Sequence, residues 1–302
     1  MQVTIMEFFQ RLASPFLDTV FEYITMFGEE SIFIIAVAFF LWCGSKKHGF
    51  AIFSSLFTSL MGMSFLKAII KAPRPFQVLP EIAGKRVTTA TGYSFPSGHT
   101  TGAASFYSSL AVTYRKRWLS IISSMAILLV GISRLYLGVH WPIDVFGGLA
   151  LGITITFVAY NWFSNLYDKP KALHMFSLLV GSISLVLAVV LVFLIELGIV
   201  DPIAFTDPMK LLSLATGGYL GFAWEQRYIR YETTGTTSIK LLRFGIGIIV
   251  LVAIQALKLV LGSHMAMGFF RYVVTGIWAT ALYPFLGTKI RLKNVYLFEK
   301  NV

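Results

Sequence analysis

Three clusters of polar residues interrupt an otherwise apolar chain: Lys67 with Arg74-Pro75, then Pro96-Ser97-Gly98-His99, then Ser133-Arg134 followed by His140 and Asp144. As patterns they read K-x6-R-P, P-S-G-H and S-R-x5-H-x3-D. A phosphate group carries nearly two negative charges and three acceptor oxygens, and holding it takes several fixed donors. Arg74 and Arg134 each offer a planar fork of N–H groups, and Lys67 offers a point charge. Ser97 suits a helix N-cap, and Gly98 lets a backbone N–H come close to a ligand. The helix opening there is therefore an anion site with His99 beside it. His140 and Asp144 are four apart, with Pro142 suited to the first helical position between them. That spacing puts both side chains on one face. Asp144 can then accept from one ring nitrogen of His140 and leave the other unprotonated and nucleophilic. No carboxylate cluster suits magnesium, so neither a metal nor another cofactor is expected.

The elements that must hold these residues are membrane helices. The chain of 302 residues is 56% hydrophobic and 13% charged, whereas a soluble domain is about one-quarter charged. Apolar runs of about 20 residues recur along it, the mark of membrane-spanning segments. Nine are read, centred on Ile35, Leu60, Ser105, Met125, Thr154, Val186, Thr216, Leu251 and Thr275. The expected fold is an all-α integral membrane protein of about nine transmembrane helices. Residues 1–28 alternate Phe, Leu and Ile with Glu, Gln, Arg and Asp, and are expected as amphipathic helix on the outer membrane surface. With no basic n-region and an early Glu7, they do not read as a cleavable signal peptide. Cys43 is the single cysteine, which excludes an intramolecular disulfide and suits a small packing residue. Asp168-Lys169-Pro170 marks the expected boundary. It separates residues 1–167, a membrane-embedded core with all three motifs, from residues 168–302, a four-helix region without a motif.

A net charge of +11 raises nucleic acid as a partner, but the distribution of that charge argues against it. With nine spans, alternate loops face one side. That side holds Lys46-Lys47, Arg115-Lys116-Arg117, Lys169 with Lys171, Arg227 to Arg243, and Lys289 to Lys300, against only Asp168, Glu225, Glu232 and Glu299 as acids. The opposite side is balanced. Lys and Arg in short loops mark the cytoplasmic face, so all three motifs and the N-terminus are expected outside and the C-terminus in the cytoplasm. Lys85-Arg86, between the first two motifs, reads first as a solvated loop pair, with contact to a second phosphate or an anionic headgroup as the alternative. Glu196 and Lys258 are expected as a structural ion pair near the outer span ends.

At its three motifs the chain resembles the type-2 phosphatidic acid phosphatase superfamily, which includes lipid phosphate phosphatases, glucose-6-phosphatases, bacterial acid phosphatases and vanadium haloperoxidases. The resemblance covers residues 55–160, and every signature position is filled. It implies a phosphatase helical-bundle core in which His140 attacks phosphorus and forms a phosphohistidine. His99 protonates the leaving oxygen and then activates water. Lys67, Arg74, Ser97, Gly98 and Arg134 stabilise the equatorial oxygens, without a metal. The resulting expectation is a phosphatase for monoesters or diphosphates of lipids at the non-cytoplasmic face of a bacterial plasma (inner) membrane. Its partners are a lipid phosphate and the bilayer. The alternatives are a sugar-phosphate phosphatase resembling glucose-6-phosphatase, which also has nine spans, and an anion or lipid transporter.

Overall fold

The computed structural model describes residues 1–262 and 264–294, and every regular element among them is helical. In order they are α1 (Gln2–Arg11), α2 (Pro15–Met26), α3 (Glu30–Trp42), α4 (Lys46–Ile70), the short α5 (Pro75–Val78), a 3-10 turn at Val87–Thr89, α6 (Gly98–Tyr114), α7 (Arg117–Tyr136), α8 (Pro142–Tyr167), α9 (Pro170–Glu196) and α10 (Pro202–Trp224). After a π-helical turn at Glu225–Ile229 follow α11 (Thr237–Ala256), α12 (Lys258–Leu261) and α13 (Met265–Ile277). A second π-helical turn at Trp278–Leu282 leads into α14 (Tyr283–Asn294). Lys300, Glu299 and the C-terminal end, assigned above to the cytoplasmic side, lie outside the described residues.

Each expected span centre falls in a helix: α3, α4, α6 to α11 and α13. By length and apolarity among the described residues, six helical stretches are able to cross a membrane, or seven if α2 and α3 form one span broken by a 42° bend. The count of nine is therefore not reached on this criterion. α6 has only 17 residues and buries Ser and Thr along its length, while α10 carries Asp207, Pro208 and Lys210 in its first half. The stretch expected as one amphipathic helix over residues 1–28 is divided in two. Ser14 caps a new helix by accepting from the Leu17 N–H at 3.3 Å, and Pro15 takes its first position, where no N–H is needed.

The described residues form two compact units. The first comprises Met1–Ile34, Ala51–Phe163 and Asp201–Pro208; the second comprises Ile35–Phe50, Ser164–Val200 and the described residues from Met209 onward. In the first unit small and hydroxylated residues let helices meet closely, as in membrane bundles generally. Ser105 on α6 takes the hydroxyls of Ser59 on α4 and Thr156 on α8, each at 3.1 Å. A Cβ placed on Gly152 of α8 would lie 2.6 Å from the Thr101 carbonyl, so only glycine permits this approach of α8 to α6. In the second unit buried Glu225 ends α10 by accepting from Lys46 Nζ at 2.7 Å, Gln226 Nε2 at 2.9 Å and the Tyr231 N–H at 2.8 Å. Cys43 is buried and donates to the Lys240 carbonyl. The expected Glu196–Lys258 pair is not among the salt bridges of the described residues. Glu196 instead accepts from the Met265 N–H, a cap for α13.

Candidate active site

All three motifs lie in the first unit. Lys67 sits in the last turn of α4, buried, and donates to the Tyr93 carbonyl. Pro75 disfavours helix at the residue before it, and Arg74 is accordingly extended, with φ −82° and ψ 155°. This turns its guanidinium inward, where the residue is 2% exposed. All five of its N–H groups are used. Nε donates to the Gly92 carbonyl at 3.2 Å, and Nη2 to those of Thr91 and Tyr93 at 2.7 and 3.3 Å. Nη1 donates to the Val139 carbonyl at 2.8 Å and reaches Nε2 of His140 at 3.1 Å.

The last contact fixes the histidine. A guanidinium has no acceptor, so His140 Nε2 must accept and carry no proton. The proton then sits on Nδ1, which faces Asp144 Oδ2 at 3.3 Å. His140 lies between α7 and α8, and burial, followed by the Arg74 and Lys67 cations, pushes its pKa well below the usual range. The imidazole is thus neutral, with its lone pair directed at the cationic side of the site.

Asp144 follows Pro142 in the first turn of α8 and is buried. One oxygen, Oδ2, collects the Ser94 hydroxyl at 2.5 Å, the Trp141 N–H at 2.8 Å and His140. Its backbone carbonyl takes the Ser97 N–H at 3.0 Å, which ties the start of α8 to the start of α6. Ser97 is the N-cap of α6 and Gly98 its first residue; the Ser97 hydroxyl accepts from the Thr100 N–H and the Thr100 hydroxyl. Arg134, in the last turn of α7, is fully buried and donates Nη1 to the Thr25 hydroxyl at 2.8 Å. Its Nε and Nη2 have no partner, and neither does Nε2 of His99. A buried donor left unpaired costs about 1–3 kcal/mol. These atoms mark where an acceptor-rich group fits.

The first segment is thus bonded to the third through Arg74 and His140, the second to the third through Ser97 and Asp144, and Lys67 of the first holds Tyr93 in the loop that leads into the second. Among the described residues no group of three or more His, Cys, Asp or Glu side chains is arranged to hold a metal ion.

Residues 47–168 match the PAP2 superfamily, and residues 209–295 match the PAP2 superfamily phosphatase, transmembrane extension. The undecaprenyl-diphosphatase BcrC of Bacillus subtilis is 31% identical over 50% of this chain and 76% of that protein. The chain belongs to the PAP2 superfamily. An undecaprenyl-diphosphatase of Sulfolobus acidocaldarius is likewise 31% identical, over 45% of the PAP2 chain described here and 66% of the archaeal one. The crystal structure of a transmembrane PAP2-type phosphatidylglycerolphosphate phosphatase from Bacillus subtilis aligns with a TM-score of 0.46 at 28% identity, covering 54% of this chain and 84% of that one.

Several PAP2-site residues carry no sequence signal. Ser94 holds Asp144, Thr25 holds Arg134, and the carbonyls of residues 91–93 engage Lys67 and Arg74. Carbonyl acceptors of this kind leave no trace in residue identity. Ser94, two positions before Pro96, is one serine among many.

Proposed function

We propose that this protein is an integral membrane lipid phosphatase that transfers a phosphoryl group to His140 and then to water. The reading is carried by one observation: a neutral His140 whose Nε2 accepts from Arg74, with Asp144 facing the opposite nitrogen. In this reading Nε2 attacks phosphorus, and Asp144 stabilises the imidazolium character that develops. The cations, the Ser97 hydroxyl and the Gly98 N–H take up charge on the equatorial oxygens. His99 protonates the departing oxygen and later deprotonates the attacking water. The donor set is cationic, which attracts an anion and repels a divalent metal.

A lipid substrate is favoured over a sugar phosphate by the surface beside Asp144. A groove of about 540 Å³ is lined there by Val3, Ile70, Phe95, Trp141 and Ile143. It is mostly apolar, which suits a hydrocarbon chain and gives nothing to sugar hydroxyls. The names of the relatives, undecaprenyl-diphosphatases among them, support the same class. The one-sided Lys and Arg clusters support a site on the non-cytoplasmic face.

The test is phosphate release by the full chain purified in detergent, with an isoprenyl diphosphate, phosphatidic acid and a sugar phosphate in competition. Release from the lipids that persists in excess EDTA and is blocked by vanadate is expected. Activity lost in EDTA and restored by magnesium would overturn the metal-free mechanism, and no release from any lipid would overturn the enzyme reading. For orientation, a cysteine introduced near Gly92 should react with a membrane-impermeant reagent in intact cells and one near Lys116 should not.

A further inference from the structure

The loop between the first two motifs is fixed against the end of α7. The Lys85 N–H donates to the Leu137 carbonyl at 2.8 Å, and Lys85 pairs with Asp18 on α2. Gly138 comes so close that a Cβ on it would meet the Ala83 carbonyl at 2.6 Å. The next residue, Arg86, therefore stands beside the stretch that runs from Arg134 to His140. Its φ is 54°, a region sparsely used by residues other than glycine. From there its Nη2 reaches Glu29 Oε1 at 2.5 Å, in the turn between α2 and α3.

That turn is a meeting point. Gly28, adjacent to Glu29, lies against His99: a Cβ there would be 3.1 Å from both the Cβ and the carbonyl oxygen of His99. Thr25, at the end of α2, takes Nη1 of Arg134. Three side chains gathered around this turn carry orphaned buried nitrogens: Arg86 Nε, Arg134 Nε and Nη2, and His99 Nε2. Arg74, by contrast, is saturated by carbonyls and His140. In the reading above Arg134 serves the transferred phosphoryl group and His99 the leaving oxygen, which leaves Arg86 Nε as a further open buried donor.

A phosphate monoester departs as an alcohol, which carries no charge once His99 has protonated it. A diphosphate departs as a phosphate ester that is still anionic. In the phosphatase reading above, on which this inference rests, the departing group lies on the His99 side. We propose that Arg86, oriented by Glu29, binds the second, departing phosphoryl group of a lipid diphosphate and sets a preference for diphosphates over monoesters. The bond from His140 Nε2 to the terminal phosphorus forms as the bridging O–P bond breaks. The electron pair of that bond goes to the bridging oxygen, which becomes part of the departing monophosphate and takes the proton of His99. Water then cleaves the N–P bond and yields orthophosphate. Glu29 holds Nη2 of the fork and leaves Nε for the ligand.

The experiment compares an isoprenyl diphosphate with the isoprenyl monophosphate of the same chain length, on the purified full chain and its Arg86→Gln, Arg86→Lys and Glu29→Gln variants. Losing one charge-assisted contact corresponds to about 10- to 100-fold, so the ratio of kcat/KM for diphosphate over monophosphate should fall by about tenfold or more in Arg86→Gln. It should fall less in Arg86→Lys and by an intermediate amount in Glu29→Gln. Inorganic pyrophosphate should protect the wild type against thermal unfolding better than orthophosphate, and Arg86→Gln should erase that difference. An unchanged ratio, whether both substrates fall together or neither falls, overturns the assignment, as does pyrophosphate protection that survives in Arg86→Gln. A wild type that releases phosphate from neither substrate overturns the phosphatase reading itself and this inference with it.

Discussion

Asp144→Asn separates the charge of the carboxylate from its geometry. Three donors, from Ser94, Trp141 and His140, converge on the single oxygen Oδ2. An asparagine that places its amide oxygen there keeps all three bonds and removes only the negative charge. A hydrogen bond to a charged acceptor is about twice as strong as one to a neutral acceptor, a difference of about 1–2 kcal/mol. Because that charge opposes the positive charge that develops on His140 during attack, the loss should appear in kcat, at about 5- to 30-fold. Asp144→Ala is different in kind. It leaves three buried donors without an acceptor at about 1–3 kcal/mol each, comparable with the whole stability of a typical domain. The assay is single-turnover phosphate release alongside thermal unfolding in detergent. The expected pattern is a slow but folded Asn variant and an Ala variant that unfolds at markedly lower temperature. If Asp144→Asn turns over within about twofold of wild type, the carboxylate charge plays no part in the reaction and the role given to it is wrong.

The two histidines should fail differently. His140→Ala should abolish acid-labile phosphoenzyme, whereas His99→Ala should still trap label slowly from a donor with an activated leaving group; label trapped by His140→Ala would reverse the roles. His140 is held neutral by burial and then by Arg74, so its ring NMR signals should not titrate near the ordinary 6.5. Since the unfolded chain binds that proton and the folded one resists it, the stability this residue contributes is intact above about pH 6.5 and declines as pH falls below it. In the second unit, Glu225→Ala strips the partner from Lys46, Gln226 and the Tyr231 N–H. It should destabilise by about 2–3 kcal/mol by thermal unfolding, with Glu225→Gln losing less because it keeps an acceptor for Tyr231.

The sequence was most legible where identity and spacing act locally. Ser97 and Gly98 cap a helix because of what they are, and Asp144 reaches His140 because four residues make about one turn. Lys67 and Arg74 could be assigned to an anion, but the carbonyls that hold them could not, since every residue has one. The division between α1 and α2 was missed because the run of mixed residues up to position 28 hides the Ser14-Pro15 restart. α6 was read as a span for its Ala, Phe and Val. Its Ser and Thr are paired inside the bundle, so average hydropathy understates how readily it sits among helices. Arg86 and Glu29 lie far apart in sequence, and only the folded chain shows that one holds the other beside His99.

The saturation of Arg74 has a consequence for turnover. Its five N–H groups already face protein acceptors, so in the proposed reaction an arriving phosphoryl group would exchange bonds with Thr91, Gly92, Tyr93, Val139 and His140 instead of adding new ones. Exchange is nearly neutral in free energy, because each bond gained replaces one given up. Orthophosphate, the fragment that would remain after the N–P bond is cleaved, is therefore held by a residue with somewhere else to go. A loop of backbone carbonyls is in this sense a competitor for the product, built into the chain at a fixed effective concentration, and it returns the arginine to the protein each time the anion departs.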